Sequence, residues 1–316
     1  MIEIRFNKLS QEDCKKLAAL NIETRRGTPV QIDSSLEDIT KSIENLSTSE
    51  GFRILTAHSE GNIVGWLYYY VQFPLMTFIS GYYPVVDSDS EEIAKALIQA
   101  AKRETVERGH TRLEIEIVFP TQAHREYSKK LVNMYTKCGF QFAAEEIHMK
   151  CDLSTAALHK IDTLEGYAIK RFSDASYERL EEVGFRTLKE SKEGLFLSMS
   201  HDEQIVTLQY FFDRSNPYID DASLILERDG KIVGFVITRI GDDGEPDIGP
   251  VGLVPELRGK GLASFLLTNV LKNLRDSGSN SVSLDTTVIN TPAQKLYRKF
   301  GFKDIHHKQF YYWSPQ

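Results

Sequence analysis

The chain has 316 residues, 41% hydrophobic and 26% charged, with a formal net charge of -7. This is the composition of a globular protein long enough for two ordinary domains. Its Lys and Arg residues are scattered and outnumbered by carboxylates, so there is no basic footprint for a phosphate backbone and nucleic acid is not an expected partner.

The amino terminus, Met1-Ile2-Glu3-Ile4-Arg5, lacks the basic and apolar regions of a signal peptide and reads as a first strand. The most apolar stretch, Val64 to Val86, is interrupted by Gln72, Pro74, Ser80, Gly81 and Pro84 and is rich in tyrosine, which predicts short strands and no membrane span. Cys14, Cys138 and Cys151 have no C-x-x-C spacing, which points to a reducing, cytoplasmic setting without a disulfide frame or zinc site. His306-His307 and the other histidines lack metal-ligand partners at sensible spacing, so no metal is expected.

The sequence repeats itself. Gly61-Asn62-Ile63-Val64-Gly65 matches Gly230-Lys231-Ile232-Val233-Gly234 at an offset of 230 − 61 = 169 residues, and Val85, Ala94, Leu97 and Gly109 fall on Val254, Ala263, Leu266 and Gly278 at the same offset. Tyr135-Thr136-Lys137-Cys138-Gly139-Phe140 then matches Tyr297-Arg298-Lys299-Phe300-Gly301-Phe302 at an offset of 297 − 135 = 162. Two related domains follow, residues 1–152 and 165–316, with the boundary between Leu153 and Leu164.

In the second half, Tyr167 to Phe172 begins as a strand, followed by amphipathic helices over Ser176 to Glu190 and Asp202 to Phe212. Ser223 to Arg228, Asp229-Gly230 and Ile232 to Ile240 form a hairpin, since the dipeptide supplies positive φ between β-rich runs. A strand over Pro246 to Val254 leads into a helix whose Leu262, Phe265, Leu266, Val270 and Leu274 make one apolar stripe, ending near Ser277-Gly278. Ser281 to Val288 reads as a strand, Thr291 to Phe300 as a helix, and Phe302 to Trp313 as a hairpin or pair of strands.

The strand-to-helix junction carries Arg258-Gly259-Lys260-Gly261-Leu262-Ala263. Unpaired backbone N–H groups at a helix start bind anions, and glycine removes the Cβ that would hold a pyrophosphate away. Arg258 and Lys260 add positive charge. No Walker loop is present, and a dinucleotide fingerprint fails because Ser264 stands where its third glycine belongs.

The pattern Arg258-x-x-Gly261-x-Ala263 resembles the acyl-CoA pyrophosphate motif of the GNAT superfamily of N-acetyltransferases. The block Asn290-Thr-Pro-Ala293-Gln-Lys-Leu296-Tyr297-Arg-Lys299-Phe-Gly301-Phe302 resembles that family's closing helix. The resemblance covers Gly166 to Trp313 well and Met1 to Asp152 in outline. It implies an α/β protein made of two tandem GNAT folds, each a mixed, mostly antiparallel central sheet flanked by helices. It also implies transfer of acetyl from acetyl-CoA to a primary amine by direct attack in a ternary complex.

By the resemblance, Val251, Gly252 and Leu253 would pair with the pantetheine arm, residues 258–263 would cradle the pyrophosphate, and Asn290 would hydrogen-bond the cofactor. Tyr297 would be the acid that protonates the departing thiolate, since a phenol of pKa about 10 stays protonated at neutral pH. Glu245, at the start of the presumed central strand, is the candidate base, with Asp247 nearby. The expected assembly is a monomer or homodimer with an amine-bearing acceptor, and a non-catalytic acyl-CoA sensor stays open as the alternative.

In the first half, the 169-residue offset sets Asp89, Ser90, Glu91 and Glu92 on Arg258, Gly259, Lys260 and Gly261. Carboxylates there repel pyrophosphate and favour a helix's first turn. Residues 1–152 are therefore expected to be a degenerate, non-catalytic copy.

Overall fold

The computed structural model describes residues 2–6, 8–158, 164–241 and 244–315. Part of the expected boundary segment, 159–163, lies outside them. The chain divides into two compact units, Met1–Ala143 with Lys308–Gln316, and Ala144–His307. These do not coincide with the two halves of the sequence, because residues 144–152 belong with the second unit and 308–316 with the first.

The first unit runs β1 (Glu3–Phe6), α1 (Gln11–Arg25), α2 (Leu36–Thr48), β2 (Phe52–Ser59), β3 (Asn62–Tyr70), β4 (Met76–Ser80), β5 (Val85–Val86), α3 (Glu91–Glu107), β6 (Arg112–Phe119) and α4 (Gln122–Lys137). Its strands lie in the order β1-β2-β3-β4-β6, with β5 paired to β3. All these pairings are antiparallel except β4 with β6. Apolar alternation along β2, β3 and β6 points Leu55, Leu67 and Ile115 into a core that Leu17, Leu97 and Tyr135 close from the helices.

Then come β7 (Gln141–Asp152), β8 (Tyr167–Arg171), α5 (Tyr177–Lys189), α6 (Gly194–Leu197), α7 (His201–Phe212), β9 (Leu224–Arg228), β10 (Lys231–Ile240), β11 (Pro246–Leu253), α8 (Leu262–Asp276), β12 (Ser281–Thr287), α9 (Thr291–Lys299) and β13 (Lys303–Trp313). In the second unit the strand order is β7-β12-β11-β10-β9-β8. It is antiparallel except for β11 with β12. Both units are thus mixed, mostly antiparallel sheets flanked by helices.

Local chemistry explains the second unit's elements. Asp229 and Gly230 have φ of 50° and 72°, as the expected tight hairpin requires. Helix α8 buries the expected stripe, Leu262, Phe265, Leu266, Val270 and Leu274, and its chain reverses at Gly278 with φ of 90°. The region expected as a hairpin or pair of strands near the C-terminus is one strand, β13.

Gly252 lets α5 lie against the sheet, and Gly184 lets α7 lie against α5. A Cβ on Gly252 would come within 2.3 Å of Phe235 Cζ, and one on Gly184 within 2.6 Å of Phe212 Cε2. Phe235 and Phe212 pack edge to face between them at 5.3 Å.

Candidate functional site

The site is built around a parting of two strands. The β11–β12 ladder runs over Asp247 with Ser283 and Ile248 with Leu284. Strand β11 then continues to Leu253 against β10, while β12 continues to Thr287 against β7. Pro250 has no N–H to offer a ladder, so the sequence favours the parting where it occurs. Beyond it, Val251 and Leu253 keep partial solvent access while Gly252 is buried.

The turn after β11 leads to α8. Gly259 and Gly261 adopt φ of 75° and 80°, and a Cβ on either would meet nothing within 4 Å. Gly261 is the residue before the helix, and no side chain caps it. The first N–H groups of α8 therefore face open space at the positive end of the helix dipole, with exposed Lys260 beside them. This geometry fits a pyrophosphate, since the helix start carries no side-chain cap and its two glycines border open space.

Arg258 has a different place from the one charge alone suggests. Its guanidinium donates to the carbonyls of Leu253 (3.0 Å), Glu190 (2.7 Å) and Thr187 (2.9 Å). It ties the turn to the C-terminal end of α5, where a cation complements the helix dipole.

On the other side of the opening stands α9. Asn290 caps it, its side chain accepting from the Ala293 N–H at 3.4 Å, and Gln294 fastens the preceding turn by donating to the carbonyls of Thr287 and Val288. Asn290 Nδ2 donates to Glu193 Oε1 at 2.9 Å. Both ends of the Asn290 amide are thus engaged within the protein.

Tyr297, two turns into α9, is buried against Phe302. Its hydroxyl makes no hydrogen bond to a described residue. Burial, reinforced by the nearby Glu193 charge, pushes the phenol well above its usual pKa, so it stays protonated. Glu193 itself is raised by burial, partly offset by the hydrogen bond from Asn290. Nothing in the sequence near Lys192-Glu193-Gly194 marked this residue, because its contact with Asn290, 97 residues later, is a tertiary one.

Glu245 is not brought to the opening. It precedes β11, accepts from Ser281 Oγ at 2.9 Å, and lies four residues, roughly 13 Å along a strand, before the strands part. Asp247 accepts from Ser283 Oγ at 2.7 Å.

The first unit offers the matching positions in altered form. Ser90 caps α3 by accepting from the Ile93 N–H, Glu91 and Glu92 occupy the first turn, and Glu91 pairs with Lys137 and Lys95 at 2.9 and 3.1 Å. Tyr135, the counterpart of Tyr297, is fully buried and donates its hydroxyl to the Tyr83 carbonyl at 2.9 Å. A cavity of about 440 Å³ persists beside them, lined by Tyr82, Val86, Glu91, Tyr127, Met134 and Lys137 among others. Among the described residues no cluster of three or more His, Cys, Asp and Glu side chains could hold a metal ion, and no helix is long and apolar enough to cross a membrane.

Residues 176–302 match the Acetyltransferase (GNAT) family. A mycothiol acetyltransferase of Arthrobacter sp. (strain FB24) is 41% identical over 92 residues, which is 27% of this chain and 28% of that protein. One from Nocardia farcinica is 27% identical over 183 residues, 54% of this chain and 56% of that protein. The matches thus span about a quarter to just over half of these relatives. A tandem GNAT protein from the clavulanic acid biosynthesis pathway superposes over 100% of both chains, with a TM-score of 0.56 and 14% identity, which shows the shared tandem fold.

Proposed function

The chain belongs to the GNAT acetyltransferase superfamily, and from that premise we propose that it is an acetyl-CoA-dependent N-acetyltransferase that acts on a primary amine from one site, in its second unit. The observation that carries this reading is the pairing of an uncapped, glycine-opened start of α8 with a buried tyrosine whose hydroxyl is uncommitted.

Acetyl-CoA would supply an activated acetyl thioester. The N–H groups of residues 259–263, with Lys260, would hold its pyrophosphate, and the open edge of Val251, Gly252 and Leu253 would align its pantetheine arm. Arg258 and Asn290 act from behind, Arg258 by fixing the turn to α5 and Asn290 by fixing α9 and Glu193. Tyr297 keeps a proton at its hydroxyl oxygen, ready for a developing thiolate. A hydroxyl with no partner among the described residues is free to donate at the thioester sulfur, and this favours catalysis over a sensing role.

The first unit, with its helix start capped and its tyrosine spent on backbone, is the non-catalytic copy. Three free, buried cysteines suit a reducing, cytoplasmic setting. The test is incubation with acetyl-CoA and a panel of amines: glucosamine, spermidine, a blocked lysine and an alanine-starting tripeptide. Thiol release and an acetylated product mass are expected with at least one. Binding of acetyl-CoA with no transfer to any would establish the sensor instead.

A further inference from the structure

The segment between α5 and α6 is held from both sides of the opening. On one side Arg258 donates to the Glu190 and Thr187 carbonyls. On the other, Asn290 donates to Glu193 Oε1. Within the segment the Glu193 N–H donates to Ser191 Oγ, which in turn donates to the Leu188 carbonyl. A short link with this many fastenings places one side chain in a defined position, and that side chain is a carboxylate. Its second oxygen makes no hydrogen bond to a described residue.

Glu193 keeps partial solvent access, so its second oxygen is open to a cation that arrives at the opening. A structural bridge from the link to Asn290 would be served equally by Gln, which would keep the accepted hydrogen bond without burying charge. Asn290, which holds the carboxylate, caps α9, so Glu193 stands at the start of the helix that carries Tyr297. Arg258, on the other side of the link, is spent on three carbonyls.

We propose that Glu193 is the residue that receives the acceptor's ammonium and removes its proton, an assignment that rests on the acetyltransferase reading above. The balance is R–NH3+ with the Glu193 carboxylate giving R–NH2 and the Glu193 carboxylic acid, which then returns its proton to water. The neutral amine's nitrogen forms the bond to the acetyl carbon, the carbon–sulfur bond breaks, and sulfur leaves with the proton held by Tyr297. The second proton lost from nitrogen passes to the same carboxylate and then, through water, restores the Tyr297 hydroxyl. Burial suits Glu193 to this task, because a carboxyl raised above its ordinary value is a stronger base than a solvated one.

The decisive variant is Glu193→Gln, which keeps an acceptor for Asn290 Nδ2 and the side-chain volume. Calorimetry with acetyl-CoA, thermal melting, and kcat/KM against pH with whichever panel amine the wild type acetylates are compared. The proposal expects acetyl-CoA affinity within about twofold of wild type, no loss of melting temperature, a fall in kcat/KM of about 10²-fold or more, and loss of the acid limb of the pH profile. A variant with wild-type turnover and an intact acid limb overturns it. So does a variant that loses acetyl-CoA binding and melting temperature together, since that is the signature of a purely structural bridge. If the wild type acetylates no amine, the acetyltransferase reading falls and takes this assignment with it. Normal wild-type transfer with an unaffected variant removes only Glu193.

Discussion

Replacing Gly252 by Ala tests whether the seat of α5 sets both stability and the shape of the opening. The added methyl would lie 2.3 and 2.4 Å from Phe235 Cζ and Cε1 and 2.7 Å from Thr187 Oγ1. Carbon atoms at rest stand about 3.5–4.0 Å apart, so something must yield by more than about 1 Å. Phe235 has no free direction, because it abuts Phe212 at 5.3 Å, and Phe212 already fills the space that the missing Cβ of Gly184 leaves. Overpacking of this kind costs about 1–3 kcal/mol, and in a unit of this size each kcal/mol moves Tm by about 2–4 °C, so a fall of about 2–12 °C is expected. The strain reaches the site as well, since Thr187 carries one of the three carbonyls that hold Arg258. Weaker acetyl-CoA binding should accompany the lower Tm. Thermal melting by circular dichroism and titration calorimetry measure the two, and adding Phe235→Leu, which trims the clashing ring, should recover part of each. A Gly252→Ala protein that melts with the wild type and binds acetyl-CoA equally well would refute the packing argument.

Tyr297→Phe should bind acetyl-CoA normally and lose about 10²-fold or more in kcat, read as thiol release; an unchanged rate would remove the phenol from the reaction. Glu193→Gln should also change how stability depends on pH. The raised carboxyl binds its proton more tightly folded than unfolded, so its stabilising contribution is present at acid pH and is lost as pH rises through the folded value. Gln cannot ionise, so the variant's Tm relative to wild type should climb between acid and neutral pH, and a constant difference would contradict the burial argument. Calorimetry of the whole chain should give one acetyl-CoA per molecule, and two would mean that the capped start of α3 is no barrier.

Much of the second unit was legible because its signals are local. The Asp229-Gly230 turn and the stripe of α8 need no tertiary information, and the observed bounds differ from the expected ones by a residue or so at most ends. What was not legible depends on long-range partners. The guanidinium of Arg258 reads from sequence as a charge for phosphate, yet it is consumed by carbonyls from a helix some 70 residues earlier. Glu193 has no periodic or spacing signal at all. The assignment of 144–152 to the second unit is equally invisible, because Ile147, Met149 and Cys151 alternate as any half-buried strand does and would suit either core. The pairing of β7 with β12 decides it.

The two copies differ less in fold than in how their polar groups are satisfied. At the start of α3 a serine caps the helix and two glutamates sit in its first turn, whereas at the start of α8 a glycine precedes the helix and no side chain caps it. The two tyrosines show the same contrast, with the Tyr135 hydroxyl spent on a backbone carbonyl while that of Tyr297 makes no hydrogen bond to a described residue. Ser90, Glu91 and Tyr135 in the first unit each make a hydrogen bond that the folded chain keeps for itself, and each is favourable on its own. A binding site runs the opposite way, since it keeps buried or helix-end donors unsatisfied until a ligand arrives. A copy released from the need to bind would therefore drift toward completion one side chain at a time. Substituting Ser90 alone would not reverse this, because freeing the N–H groups of α3 leaves Glu91 and Glu92 in front of them.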